Sequence, residues 1–341
     1  MEKNEKTIAT AMTDKELQEA FEKLQGENKN VRFVNLDDEV EFNCNRCGGC
    51  CTCRDDILLS PYDVYNLAVA LNTTGRDIIN NYLDVYIGNH SHLPVMTIAD
   101  TPQHKCPFLE FDPTLMLYKC KVNSRKPGPC RTHPFGIVRQ MNAKTLEPDE
   151  IRFIATDFCN NHGGEKTTVR EYLGEDYLNS LEDRKVSYKL QSFVTNLLNL
   201  EKIHAIIEGV DSYEGFTDNE KHFLSHLTER ARGMLWNAYV IPYLEDVYNF
   251  DPNKGFLSQC EEGFKGLIKS SLALTAMLAA LQFDVRPKDE ESFNDIVKQY
   301  MNEEEFETIL NNLQESIEKA DKVVMEKLKE MEEEDVNTSG N

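Results

Sequence analysis

Cys-Asn-Arg-Cys-Gly-Gly-Cys-Cys-Thr-Cys, residues 44–53, is the stretch that decides how the first half of this chain folds. Within it Cys44, Cys47 and Cys50 repeat at every third position. Two residues between cysteines let the chain fold back around a metal ion, so that both thiolates reach it. The triple repeat is also a spacing used to bind 4Fe–4S clusters. The stretch therefore predicts a metal centre.

Two further features of the stretch shape this prediction. Gly48 and Gly49 permit the positive φ values that a tight wrap around a metal often needs. The adjacent Cys50 and Cys51 are expected to point different ways and to serve two neighbouring metal positions. Four cysteines within eight residues are too dense for ordinary core packing, so a set of buried thiols without metal is the less favoured alternative.

More distant cysteines complete the expected ligand set. Eight thiolates suit two tetrahedral zinc ions, two four-cysteine clusters or one larger centre, and the triple spacing favours iron–sulfur over zinc. Zinc stays open, because it accepts any four thiolates at irregular spacing. The eight predicted ligands are Cys44, Cys47, Cys50, Cys51, Cys106, Cys120, Cys130 and Cys159.

The distribution of cysteines also bears on the compartment. Nine of the ten lie between Cys44 and Cys159, whereas Cys260 stands apart and, like Cys53, is expected to be spare. The N-terminus has no apolar segment of signal-peptide length, so we expect the reducing cytoplasm. In a reducing compartment, clustered cysteines are more often metal ligands than disulfides.

Charge and length exclude other classes of protein. The chain has 341 residues and a formal net charge of −22, from 59 acidic and 37 basic residues. Such a polyanion repels nucleic acid and anionic membranes, so neither is an expected partner. Lys119–Arg139 is a local basic exception. The longest apolar run, Leu272–Leu281, is about half of the ~20 residues that span a bilayer.

The chain is predicted to fold as two parts of an α+β protein: an irregular cysteine-rich, metal-centred domain over residues 1–175 and an acidic helical bundle over residues 176–341. Ser60-Pro61 and Thr74 are typical helix starts in the first part, which also contains a short strand at Ile151–Ile154. A further helix is predicted N-terminal to Gly26.

The second part carries apolar residues at helical spacing. One helix is predicted to include Phe193 and the leucines up to Leu200. The last helix, from about Glu303 to Met331, has apolar residues at alternating steps of four and three, which indicates a seam for another helix. Packing within the protein's own bundle is favoured, and a protein partner on these helices is the alternative.

Several other residues are weighed as auxiliary ligands. His133 follows Cys130 in a turn made by Pro134, and His162 follows Cys159. Either histidine could bind the metal or donate a hydrogen bond to a thiolate. An ordinary turn residue is the simpler interpretation of each. Arg131 and Arg139 could pair with the negative charge of a thiolate-rich centre.

An ordered series of motifs resembles the YkgJ-type cysteine-cluster proteins, a family described as zinc- or iron-chelating. The resemblance covers about Phe42 to Leu173, and it implies metal ligation by the same eight cysteines. Two departures are Lys126-Pro127-Gly128-Pro129, where members commonly have Arg-Pro and two residues before the cysteine, and the additional Cys53. The matching motifs are Cys44-x-x-Cys47-x-x-Cys50-Cys51, Leu59-Ser60-Pro61-Tyr62-Asp63, Cys106-Pro107-Phe108-Leu109, Cys120, Pro129-Cys130-Arg131-Thr132-His133-Pro134-Phe135 and Cys159.

The sequence favours metal binding in a structural or redox role. A distant branch of the resembling family includes flagellin lysine N-methylases, which makes a protein-modifying methyltransferase the enzymatic alternative. The chain has no glycine-rich strand-to-helix turn of the kind that seats a nucleotide-like cofactor. A third hypothesis is a purely structural metal site joined to a helical partner-binding module.

Overall fold

The computed structural model describes residues 32–42, 44, 46–52, 57–141, 148–155, 166–287, 290–312 and 314–315. Within them the fold is α+β, with helices and small antiparallel sheets. The predicted N-terminal helix, Cys53, Cys159, His162 and the seam beyond residue 315 lie outside the described residues, so those predictions stay untested.

The described strands form short antiparallel sheets. The strands are β1 Arg32–Val34, β2 Glu39–Glu41, β3 Leu83–Ile87, β4 Pro94–Ile98, β5 Leu109–Asp112, β6 Leu117–Cys120, β7 Gly136–Met141, β8 Pro148–Ala155 and β9 Lys166–Thr168. β1, β8 and β7 make a three-stranded sheet in that order, and the pairs β2–β9, β3–β4 and β5–β6 make two-stranded sheets. The predicted strand at Ile151–Ile154 is part of β8.

Helices dominate the described chain after residue 168. A further helical stretch covers 303–312, and single 3-10 turns lie at Gly49–Cys51, Asn123–Arg125 and Phe193–Asn196. The helices are α1 Pro61–Leu71, α2 Gly75–Tyr82, α3 Gly128–Thr132, α4 Val169–Leu173, α5 Glu175–Asn179, α6 Leu181–Ser192, α7 Leu200–Glu208, α8 Asp218–His226, α9 Glu229–Tyr248, α10 Phe256–Ala280 and α11 Glu290–Tyr300.

Local chemistry explains where the early helices begin. The Ser60 side chain accepts a hydrogen bond from the Asp63 amide, and the Asp63 side chain accepts one from the Ser60 amide, so the two residues form a capping box at the start of α1. Thr74 and Asp77 form the same capping box at the start of α2. Each pair satisfies two of the backbone amides that a helix leaves without partners at its start. The predicted starts at Ser60 and Thr74 are therefore confirmed.

The chain forms two compact units, and they do not follow a single cut in the sequence. The first contains the described residues up to Phe193 together with Leu244–Gly263, and the second contains Val194–Tyr243 and the described residues from Phe264 onward. Within the first unit, a small core beneath the β1–β8–β7 sheet includes Val34, Phe153 and Leu173.

One predicted helix is wrong. The segment from Phe193 to Leu200 is a 3-10 turn followed by a new helix, not one continuous helix. The reason is Asn199, whose side chain accepts a hydrogen bond from the Lys202 amide and so caps α7 at Leu200. No helix of the described part of the chain is both long and apolar enough to cross a membrane.

Candidate metal centre

The cysteine loop is held in shape by its own backbone. Gly48 has φ +76° and begins the Gly49–Cys51 turn, in which the Cys51 amide donates to the Gly48 carbonyl at 2.9 Å. Only glycine adopts this left-handed conformation without strain. The predicted need for positive φ is thus confirmed at Gly48, whereas Gly49 is not among the described glycines with positive φ.

Backbone hydrogen bonds then join this loop to the segments that carry the distant cysteines. The Cys106 amide donates to the Cys51 carbonyl at 2.8 Å, and the Tyr118 amide donates to the Arg46 carbonyl at 3.1 Å. In the β5–β6 hairpin, Leu109 pairs with Cys120. Cys106 and Cys120 are therefore brought beside the loop by strand pairing.

Five cysteines line one cavity of about 50 Å³, which we call the thiol cavity. Cys130 reaches it from the short helix α3, and apolar side chains form much of the remaining wall. Its lining residues are Cys50, Cys51, Ile57, Ile98, Cys106, Phe108, Cys120, Val122, Lys126, Pro127, Pro129, Cys130 and His133.

The structure thus brings together five of the eight predicted ligands. Cys44 and Cys47 are exposed and do not line the thiol cavity, and Cys159 lies outside the described residues. The expectation that Cys50 and Cys51 point different ways is wrong, because their Sγ atoms are 3.8 Å apart. Cys260 is buried on α10 and does not line the cavity.

The thiols line the wall of the cavity and do not close on one point. Among the residues that the structure describes, no three His, Cys, Asp or Glu side chains are grouped tightly enough to hold a metal ion. Binding one ion would therefore require the thiol side chains to move closer together, and a change of side-chain rotamer is one way to do so.

Backbone amides lie close after three of the cysteines. The Gly49 amide donates to Cys47 Sγ at 3.4 Å. The amides of Phe108 and Leu109 act to lower the pKa of Cys106, and the amide of Val122 acts to lower the pKa of Cys120, in both cases against the larger effect of burial. An N–H donor stabilises a thiolate more than a thiol, so these amides favour the ligating form.

The wider environment opposes ionisation. Burial raises the pKa of Cys106, Cys120 and Cys130. The pKa of Cys51 is raised first by its hydrogen bond with Cys50 and then by burial. Several thiols in one cavity cannot all ionise unless a positive charge offsets their mutual repulsion.

Lys126 supplies part of that positive charge, and the sequence reasoning did not single it out. It lines the cavity and lowers the pKa of Cys120, although burial of that thiol has the larger, opposite effect. In the sequence it stood out only as part of the basic segment Lys119–Arg139 and of the departure at Lys126-Pro127-Gly128-Pro129. Arg131, by contrast, donates through Nε and Nη2 to the Leu173 carbonyl at 2.9 and 2.6 Å.

His133 also lines the thiol cavity, at the end of α3. Its backbone carbonyl accepts a hydrogen bond from the Tyr172 hydroxyl, and its bond to Pro134 is cis. The position is consistent with either of the roles weighed from the sequence. The side chain of Arg139 lies outside the described part of the structure.

Comparison of the chain with protein-family models, with curated proteins and with solved structures finds no match. The functional argument therefore rests on the residues and their geometry.

Proposed function

We propose that this protein binds a metal through cysteine thiolates at the thiol cavity, in a structural or redox role. The observation that carries the proposal is the convergence of five cysteines, from four separate chain segments, on one cavity. Cys50 and Cys51 come from the loop, Cys106 and Cys120 from either side of the β5–β6 hairpin, and Cys130 from α3.

Ordinary buried cysteines act as small apolar side chains and need no hydrogen-bond donors aimed at the sulfur. The amides of Phe108 and Val122 act to lower the pKa of Cys106 and Cys120, which favours a thiolate ligand, although burial has the larger, opposite effect. Burial that raises the thiol pKa makes the cavity unfavourable for bare thiolates, so a bound cation would stabilise it strongly. Lys126 would offset part of the remaining negative charge.

The distance between two of the cavity sulfur atoms matches the geometry of a single tetrahedral metal ion. With metal–sulfur bonds of about 2.3 Å in a tetrahedron, two thiolates on one zinc ion lie about 3.8 Å apart. The Cys50 and Cys51 Sγ atoms are separated by 3.8 Å. This separation supports zinc held by the adjacent pair and two of the three remaining cavity cysteines.

An iron–sulfur cluster is the second candidate, and the spacing of the loop favours it. Cys44, Cys47 and Cys50 have the triple spacing of a cluster ligand set. The cavity also has more thiols than one tetrahedral ion needs. In this case the exposed Cys44 and Cys47 would be ligands too, and the loop would have to turn them toward the centre.

Metal and inorganic sulfide analysis of the full chain, purified without oxygen, tests the proposal. We expect bound metal in the wild type, a marked loss in Cys120→Ser and Cys130→Ser, and unchanged metal in the control Cys260→Ser. A wild type with no stoichiometric metal after growth with ample zinc and iron would overturn the proposal. Equal metal content in the cavity variants and the control would overturn the ligand assignment.

Cys47→Ser separates the two kinds of centre. A single zinc ion in the cavity predicts no loss of metal in this variant, because Cys47 does not line the cavity. A cluster predicts a brown wild type with inorganic sulfide, visible absorption that bleaches on reduction, and loss of that absorption in Cys47→Ser.

The methyltransferase alternative, drawn from the resemblance to the cysteine-cluster family, stays a prediction. It requires the chain to bind S-adenosylmethionine, which calorimetry measures directly. A protein partner on the C-terminal helices also stays a prediction, since most of the expected seam lies outside the described residues.

A further inference from the structure

Asp63 is a buried carboxylate that joins three segments of the first unit. Only 1% of its surface is exposed. Its Oδ2 accepts hydrogen bonds from the Ser60 amide at 3.0 Å and the Ser60 hydroxyl at 2.8 Å, at the start of α1. Its Oδ1 accepts from the Gly128 amide at 2.7 Å and from Arg184 Nη1 at 2.9 Å. The side chain thus binds α1, α3 and α6 at one point.

The contact with Gly128 caps the helix that carries Cys130. A helix leaves its first backbone amides without partners inside the helix. The residue before α3 is Pro127, which gives no side-chain cap, and Pro129 has no amide hydrogen. Asp63 supplies the missing acceptor from another part of the chain, two residues before Cys130.

Gly128 fits this place because it has no Cβ. A Cβ there would lie 2.6 Å from Arg184 Nη1 and 3.4 Å from Asp63 Oδ1. The first of these distances is well inside a normal contact, so the guanidinium or the helix would have to move. The close approach of α3 to the Asp63–Arg184 pair therefore fixes the position of the helix.

Arg184 is held as firmly as Asp63. Its side chain is 4% exposed, and its Nε donates a hydrogen bond to Ser180 Oγ at 3.1 Å. Its guanidinium carbon lies 5.1 Å from the ring centroid of Tyr62 and 4.8 Å from that of Tyr177. A buried ion pair is weak evidence for stability, because desolvation opposes the Coulombic gain. Fixing one arrangement of the surrounding segments is a role that such pairs do serve.

We propose that Asp63 is a positioning residue for the metal centre, which places Cys130 on the wall of the thiol cavity by anchoring the start of α3. The inference rests on the metal-binding function proposed above. Metal–ligand distances tolerate changes of only about 0.2 Å, and the loss of outer contacts typically weakens metal binding 10- to 100-fold.

Titration of the metal-free full chain with Co²⁺ tests the proposal, since thiolate-to-cobalt absorption reports how many cysteines bind. We expect Asp63→Asn to weaken Co²⁺ binding about tenfold or more and to reduce this absorption. The matched control is Leu190→Ala, a cavity-forming change on α6 in the same unit. It should lower the melting temperature and leave Co²⁺ affinity unchanged.

The double variant Asp63→Asn/Cys130→Ser gives the decisive comparison. If Asp63 acts through Cys130, then adding Asp63→Asn to Cys130→Ser should cause no further loss of affinity. An equal loss in both backgrounds, or wild-type affinity in Asp63→Asn, would overturn the inference.

Gly128→Ala serves as a second probe should Asp63→Asn not fold. It disturbs the contact between α3 and Arg184 while keeping both charges, and it too should weaken Co²⁺ binding; unchanged affinity would count against the inference. A wild type that binds no Co²⁺ and holds no stoichiometric metal when purified without oxygen refutes the proposed function itself, which is a different result from wild-type binding that is insensitive to Asp63.

Discussion

Gly48→Ala, compared with Gly49→Ala, tests whether the shape of the cysteine loop controls metal binding. The two glycines are neighbours in the loop, but their surroundings differ. Gly48 has φ +76°, and a Cβ there would lie 2.9 Å from the Tyr118 ring. A Cβ at Gly49 would meet only Cys47 Sγ, at an ordinary 3.5 Å.

The expected cost at Gly48 follows from these two facts. A residue with a Cβ loses about 1–2 kcal/mol in the left-handed region, and overlap with the Tyr118 ring adds to that. A loss of 1–2 kcal/mol corresponds to a factor of roughly 5–30 in an equilibrium constant. Gly49→Ala has neither penalty. Metal affinity should therefore fall about 5- to 30-fold in Gly48→Ala and change little in Gly49→Ala.

The assay is chelator competition against the metal-loaded full chain, with thermal melting of the metal-free chain measured in parallel. Most of the loss should appear in metal affinity if the loop of the metal-free variant relaxes out of the left-handed turn, because metal binding would then restore the turn and its cost. Tyr118→Ala combined with Gly48→Ala should recover only the part of the loss that comes from the ring overlap.

Equal metal affinities in the two alanine variants would refute this reasoning. That result would mean that the cost of the turn at Gly48 does not differ between the metal-free and the metal-bound chain. A loss confined to melting temperature would likewise contradict a role for the turn in presenting the thiols.

Three predictions concern stability elsewhere. Lys202 Nζ lies 2.7 Å from the buried Glu220 carboxylate. Lys202→Met should lower the free energy of unfolding by about 3–5 kcal/mol in denaturant melts, because it leaves this carboxylate buried without its lysine partner. A loss below about 1 kcal/mol would contradict this prediction. Burial acts to raise the pKa of Glu220, but Lys202 and backbone amides outweigh burial and lower that pKa. The stabilisation from Glu220 is therefore present above its unfolded-state pKa of about 4.3 and is lost as the pH falls through its lower folded-state pKa. Glu220→Gln should flatten this dependence of stability on acid pH, and an unchanged slope would argue against it. Gly233→Ala should raise the melting temperature, by roughly 0.5–1 kcal/mol of added stability, because no heavy atom other than the chain neighbours and nearby backbone of its own helix lies within 4 Å of the new Cβ. Gly75→Ala should lower the melting temperature, because its Cβ would lie 1.9 Å from the Tyr248 carbonyl oxygen. Similar shifts in both variants would show that the space around each glycine does not decide the outcome.

Local sequence chemistry determined several elements of this protein. Helix starts at Ser60 and Thr74 could be predicted because a capping box involves residues only three positions apart. The left-handed turn at Gly48 could be predicted for the same reason, since the requirement is local to one residue. The α+β class followed from the contrast between the turn-rich first half and the helical periodicity of the second.

Longer-range features needed the tertiary structure. Nothing in the sequence indicated that Cys50 and Cys51 would lie side by side, because the direction of adjacent side chains depends on the 3-10 turn that the surrounding backbone stabilises. The break before Leu200 was missed because apolar periodicity continued through it, while one side-chain cap decided the outcome.

The sequence by itself determined which cysteines were candidates, because dense cysteine spacing is a property of the chain alone. Only the tertiary structure decided that Cys106, Cys120 and Cys130 share a cavity with the loop while Cys44 and Cys47 do not line it. The contacts responsible are strand pairing and a buried carboxylate that joins segments 65 residues apart. Contacts between segments so far apart depend on how the whole unit packs, and no short stretch of sequence specifies them.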